Sequence, residues 1–223
     1  SNAGGKGVNV AGCLADWGIR PIVTGVLGRD NAAPFEAFFA AKGIDDRFVR
    51  IAGETRTNIK IADLATGETT DLNLPGLTVP AATYDAVWAT LAGVVRPGTL
   101  VVVAGSLPEG LPAETLATLV ADLARLGARV VLDTSGEPLA RALAPEARHL
   151  PHVVKPNRGE LEDFAGHRLA DTGAIVTAAR RLVERGIGLV VVSCGADGAV
   201  FVTATEALVA RLPPVAALST VGA

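Results

Sequence analysis

Arg56, Asn58 and Lys60 stand at alternate positions in Thr55-Arg56-Thr57-Asn58-Ile59-Lys60. On an extended strand that period places all three on one face. Two cations and an amide can there hold a phosphate and a hydroxyl. The same pattern also suits the solvated side of an edge strand. A second candidate is Gly4-Gly5-Lys6-Gly7-Val8-Asn9. Glycines ahead of a helix let the backbone approach a ligand closely, and the helix N-terminus favours an anion or a hydroxyl-rich group. The motif is neither a Walker A sequence nor GxGxxG. A tight turn accounts for it equally well.

Three further candidates follow apolar runs, at the position where open α/β sheets bind ligands. Ser106, in Gly105-Ser106-Leu107-Pro108, is placed to hydrogen-bond a substrate. In Lys155-Pro156-Asn157-Arg158-Gly159-Glu160, Asn157 and Glu160 are three apart and meet on one side of a helix's first turn. Their oxygens suit Mg²⁺. They also suit a capping box, and both can hold at once. Ser193-Cys194-Gly195-Ala196-Asp197-Gly198 is a turn that wraps a nucleotide or merely joins two strands. Cys194 invites a nucleophile's role, but no His partner is assignable, so it reads as a small buried residue. In Ser219-Thr220-Val221-Gly222-Ala223, small residues would let backbone N–H groups surround a developing negative charge. His149, His152 and His167 lack Zn-like spacing and read as surface or locally bonded residues.

These residues need elements to hold them. Apolar periodicity and glycine stops predict helices over 8–17, 31–42, 112–126, 137–144, 158–165 and 174–185. Apolar, β-branched runs predict strands over 22–27, 100–104, 129–133, 152–155 and 188–193, then a hairpin from 199–203 and 207–212. Runs such as LVVVA and LVVVS indicate a sheet covered on both faces. Residues 45–75 differ: runs over 47–51, 57–64 and 68–74 alternate apolar and polar, which predicts a small antiparallel sheet with one exposed face.

Hydrophobic residues make up 49% of the 223 and charged residues 19%, a packed globular composition. The formal net charge of −3, with no Lys/Arg-rich run, argues against nucleic acid as a partner. No apolar run reaches membrane-spanning length and none reads as a signal peptide, so no membrane partner is expected. Cys13 and Cys194 make no disulfide framework, which fits a reducing cytoplasm. Ser1-Asn2-Ala3 reads as a tag remnant, and native residues are expected before Gly4 and after Ala223.

In this order, the six motifs resemble the ribokinase-like (PfkB) carbohydrate kinase family from Gly4 to Ala223. GGKGVNVA is similar to its N-terminal signature, GSLPEG and VKPNRGELE to its middle motifs, and STVGA to the start of its C-terminal signature. The resemblance implies an α/β fold: a doubly wound, mainly parallel sheet with helices on both faces and a small antiparallel β lid. It implies a nucleotide- and sugar-binding core over 4–44 and 77–223 and a lid over 45–76. It further implies ATP-dependent phosphorylation of a sugar phosphate, with Mg²⁺. GGKGVNV, TRTNIK, TTDLNLPG and KPNRGELE point to fructose 1-phosphate as the acceptor, with tagatose 6-phosphate and fructose 6-phosphate as alternatives.

By the same resemblance, Gly5, Lys6, Asn9, Arg56, Asn58, Lys60 and Ser106 would hold the sugar phosphate. Lys155, Asn157, Ser193, Gly195, Gly198, Thr220 and Gly222 would serve the nucleotide. Asn157 and Glu160 would order Mg²⁺ through water, and Gly222 and Ala223 would begin an anion hole. The family's catalytic Asp would fall two residues past Ala223, and an Asp that binds sugar hydroxyls would fall before Gly4. The sequence as it stands is therefore expected to turn over little or no substrate. A homodimer through the lid sheet is expected. A non-catalytic sugar-phosphate sensor on the same scaffold is the competing class. A Rossmann dehydrogenase lacks its GxGxxG and acidic partner here.

Overall fold

A computed structural model describes residues 3–62, 69–211 and 213. The chain divides into two compact units.

The first unit holds residues 3–62, 69–94 and 108–111. Helix α1 (Lys6–Asp16) buries Val8, Ala11 and Gly12 along one stripe, spaced for a single helical face. It packs on α2 (Ala33–Lys42), whose Phe35 and Phe39 are buried. A Cβ on Gly12 would stand 2.8 Å from the Phe38 ring, so the close approach of α1 and α2 depends on glycine. Phe39 stacks on Phe48 with ring centroids 5.6 Å apart. Together with Val23, Leu27 and Ile44 these side chains form one apolar cluster.

The strand expected over 22–27 is two: β1 (Ile22–Val23) and β2 (Val26–Gly28). Gly25, at φ +147, separates them, and the Phe48 ring occupies the space where a Cβ would lie. β3 (Asp45–Asp46) pairs in parallel with β1, and β4 (Val49–Ile51) in parallel with β2. Residues 45–75 are therefore not one antiparallel sheet. Only β5 (Asn58–Ala62) and β6 (Thr69–Asn73) form a hairpin, in the register Asn58–Asn73 and Ile59–Leu72. Helix α3 (Ala81–Val94), unforeseen in the sequence, buries only Thr83 among its described side chains. It has no apolar stripe from which periodicity would find it.

The second unit holds residues 95–107, 112–211 and 213. Its strands are β7 (Leu100–Ala104), β8 (Arg129–Asp133), β9 (Val153–Val154), β10 (Leu189–Ser193), β11 (Ala199–Val202) and β12 (Ala207–Ala210). They lie side by side in that order. β7 to β10 are parallel; β11 and β12 turn back antiparallel. Between them run α4 (Thr115–Arg125), α5 (Gly136–Ala142), α6 (Arg158–Ala165) and α7 (Thr172–Glu184). Val130, Leu132, Val154, Val190 and Val192 of the sheet are almost wholly buried, as are Leu123, Leu161 and Leu182 of the helices. The intervening Val131 and Val191 are half-buried, so apolar side chains occupy both sheet faces. Truncating a side chain such as Leu123 to Ala costs about 2–5 kcal/mol at such positions.

Candidate active site

In the second unit, four parallel strands end side by side, across roughly 14 Å at ordinary strand spacing. Each end carries a polar group. After β7, Gly105 at φ +104 turns the chain and leaves Ser106 exposed. The Gly105 N–H donates to the Asp133 carbonyl (3.0 Å), and the buried Thr134 hydroxyl donates to the Gly105 carbonyl (2.8 Å). After β9 comes Lys155, whose Nζ lies 3.3 Å from the Asp133 carboxylate at the end of β8. Asp133 is 9% exposed, and Lys155 half-exposed. The carboxylate thus holds the ammonium at the sheet's edge.

Asn157 and Glu160 both carry out the capping role. The Glu160 N–H donates to Asn157 Oδ1 (2.9 Å), and the Asn157 N–H donates to Glu160 Oε2 (2.7 Å). These reciprocal bonds start α6. Oε1 of Glu160 takes no part in that bond. Asn157 also bridges in parallel to Ser193, whose N–H donates to the Pro156 carbonyl (3.0 Å). Ser193 thus sits directly beside the α6 cap.

The turn after β10 is built by Gly195 at φ +59 and Gly198 at φ +87, with the Cys194 N–H donating to the Gly198 carbonyl (2.8 Å). A Cβ on Gly198 would fall 2.0 Å from the Ala210 carbonyl oxygen. Burial pushes the Cys194 thiol above its ordinary pKa, against the opposing pull of Arg158. A thiol held protonated is a poor nucleophile.

In the first unit, Gly5 at φ +110 is the N-cap of α1, its carbonyl accepting from the Asn9 N–H (2.9 Å) with no side-chain cap bond, and the first turn carries no acidic residue. Gly5, Lys6 and Asn9 are exposed. Arg56 and Asn58 are exposed as well. The strand starts at Asn58, so strand alternation does not reach Arg56. Arg56 stands instead beside the segment that follows β6, 3.9 Å from where a Gly76 Cβ would lie. The Lys60 side chain, and Thr220, Gly222 and Ala223, lie outside the described residues.

Sequence reasoning passed over Asp133 and Thr134. The signal was present: a carboxylate and a hydroxyl directly after the apolar run RVVL, the rule that singled out Ser106. His152 faces Arg129 (2.8 Å) and His167 faces the Arg168 carbonyl (3.0 Å), both local contacts. Among the described residues no group of three or more His, Cys, Asp or Glu could hold a metal ion. No described helix is long and apolar enough to cross a membrane.

Hydroxyl, carboxylate, ammonium and amide groups at parallel strand ends, followed by a glycine turn, stand where open α/β sheets bind ligands. The chain belongs to the pfkB family of carbohydrate kinases, whose model matches residues 1–223, and is a sugar kinase. It is 51% identical to the 1-phosphofructokinase of Xanthomonas campestris pv. campestris, over all of this chain and 70% of that one. It is 48% identical to the 1-phosphofructokinase of Rhodobacter capsulatus, over all of this chain and 69% of that one. The structure superposes on phosphofructokinase-2 from Escherichia coli, solved with substrates and products. The TM-score is 0.91 and the identity 29%, over 99% of this chain and 71% of that one. The ribokinase-like fold expected from the motif order is the fold observed.

Proposed function

We propose that this kinase transfers the γ-phosphoryl group of ATP to fructose 1-phosphate, giving fructose 1,6-bisphosphate and ADP. The observation that carries the reading is the 51% identity, across the whole chain, with a 1-phosphofructokinase. The sugar hydroxyl gives its proton to a carboxylate base and attacks the γ-phosphorus in line. The bond from that phosphorus to the bridging oxygen breaks, and ADP leaves.

On this reading Lys6, Arg56 and Lys60 offset the charge of the sugar's phosphate, with Gly5 supplying a backbone approach. Asn9, Asn58 and Ser106 hydrogen-bond its hydroxyls. Lys155, held by Asp133, offers its ammonium to the nucleotide's phosphates. Ser193, Gly195, Gly198 and Thr220 receive the nucleotide, and the N–H groups of Gly222 and Ala223 receive the charge that develops in transfer. Glu160 keeps one carboxylate oxygen outside its cap, which suits a Mg²⁺ ion that retains water and phosphate ligands. Asn157 and Glu160 would order that ion through water, and bound there it would neutralise phosphate charge.

Ile59, Ile61, Leu72 and Leu74 of the hairpin segment are 43–54% exposed, which supports a homodimer formed through it. A cytoplasmic location belongs to the same reading. The likeness to phosphofructokinase-2 from Escherichia coli, solved also in complex with fructose 6-phosphate, favours that sugar phosphate as the second candidate acceptor.

The test is ADP release by the full-length protein with fructose 1-phosphate, comparing wild type and Arg56→Ala. The variant is expected to raise KM for the sugar phosphate by about tenfold or more, the loss of a charge-assisted hydrogen bond, with KM for ATP unchanged. An unaltered sugar KM would remove Arg56 from the site.

A further inference from the structure

The backbone that leads into the hairpin is fastened to the end of β2 at several points. The Arg29 N–H donates to the Ile51 carbonyl (2.8 Å) and the Asp30 N–H to the Gly53 carbonyl (3.1 Å). The Gly28 N–H donates to the Thr55 hydroxyl (2.8 Å). Asn31 completes the series. Its Nδ2 donates to the Thr55 carbonyl and its Oδ1 accepts from the Thr55 N–H, both at 2.8 Å. One side-chain amide therefore grips both backbone groups of a residue 24 positions away. Gly28 allows the contact: a Cβ there would lie 2.3 Å from Thr55 N and 2.4 Å from the Gly53 oxygen.

Arg56 follows Thr55 directly, and β5 begins two residues further on. From these contacts we infer that Asn31 is a positioning residue for the sugar phosphate, acting through Thr55 to fix where Arg56 and Asn58 stand. The inference rests on the reading of Arg56 and Asn58 as substrate-binding groups.

The role is separable from folding. Asn31 is outside the apolar cluster formed by Val8, Ala11, Val23, Leu27, Phe35, Phe39 and Ile44. Without its amide, the bonds at Ile51 and Gly53 and the Gly28 N–H to the Thr55 hydroxyl still hold the strap to β2. What loosens is the backbone of Thr55, which leads directly into Arg56. An arginine free to wander loses more orientation on binding phosphate, so the cost falls on the sugar-phosphate KM.

The experiment compares wild type, Asn31→Ala and Arg56→Ala in the full-length protein, by steady-state kinetics and thermal melting. Asn31→Ala is expected to raise KM for fructose 1-phosphate about tenfold, because Arg56 is no longer held in orientation, with KM for ATP unchanged and the melting temperature lowered only slightly by the two lost hydrogen bonds. Should that variant not fold, Asn31→Asp carries the same comparison, because it keeps an oxygen toward the Thr55 N–H but loses the donor. The positioning role is overturned if the sugar KM does not move, or if both KM values and the melting temperature shift together, as a merely structural role requires. Arg56→Ala separates the two ideas. A raised sugar KM there beside an unchanged one for Asn31→Ala rejects the latch alone. No change in either variant rejects the substrate-binding role of Arg56 as well.

Discussion

Single residues at the carboxyl edge of the second unit's sheet differ in how tightly the fold constrains them. Gly198 combines φ +87 with a carbonyl oxygen 2.0 Å from its missing Cβ, whereas Gly195 has φ +59 and open space around it. Gly198→Ala is expected to destabilise by about 1–3 kcal/mol and Gly195→Ala by less, as measured by urea unfolding. Equal effects would mean that the turn adapts. Cys194 is constrained electrostatically. Because burial holds its thiol above the ordinary pKa, alkylation by iodoacetamide near neutral pH is expected to be slower than for a free cysteine, and to accelerate as the pH rises. Cys194→Ala is expected to keep kcat; a large loss would restore the nucleophile's role. Asp133 shows where reading stopped short. Its place after a buried strand was visible in the sequence, but its pairing with Lys155 joins residues from two strands and leaves no local pattern.

At the scale of elements, α6 starts with a capping box that coincides with the proposed Mg²⁺ groups, and substitution separates the two roles. Asn157→Ala removes a cap and is expected to cost about 1 kcal/mol in thermal or chemical unfolding. Glu160→Gln keeps an oxygen for the Asn157 N–H, so its melting temperature should hold while the Mg²⁺ concentration needed for half-maximal activity rises. A fall in stability with no change in Mg²⁺ requirement would leave only the cap. In the first unit, Asp46 sits against Arg50 between β3 and β4. Burial acts to raise the Asp46 pKa, but the Arg50 guanidinium and the Phe48 N–H outweigh it and hold the carboxyl below its ordinary value. A depressed carboxyl stabilises the fold above its unfolded pKa, and that contribution disappears as pH falls through the folded value. Acid unfolding is therefore expected to be less steep in Asp46→Asn; an identical profile would show the pair to be inert. The LVVVA, RVVLD and LVVVS strands were legible because buried parallel strands are apolar throughout. The parallel pairing of Val49–Ile51 was not, since register between distant segments is set by the Phe39–Phe48 packing around Gly25.

For the whole molecule, motif order carried the family although each motif by itself also fits a turn, a cap or an edge strand. The order was legible because, among the described residues, Ser106, Asn157 and Ser193 stand at or just past strand ends, where open α/β sheets bind ligands. The Asn31–Thr55 latch escaped for the opposite reason: an amide bonded to backbone across 24 residues carries no sequence signature. The central claim is the acceptor. It is tested most directly by measuring kcat/KM of the full-length protein, with ATP and Mg²⁺, for fructose 1-phosphate, fructose 6-phosphate and tagatose 6-phosphate side by side. Fructose 1-phosphate is expected to exceed both others by at least about a hundredfold, the discrimination available to a site built around one phosphate position. A higher value for either 6-phosphate, or binding of fructose 1-phosphate without release of ADP, would contradict it.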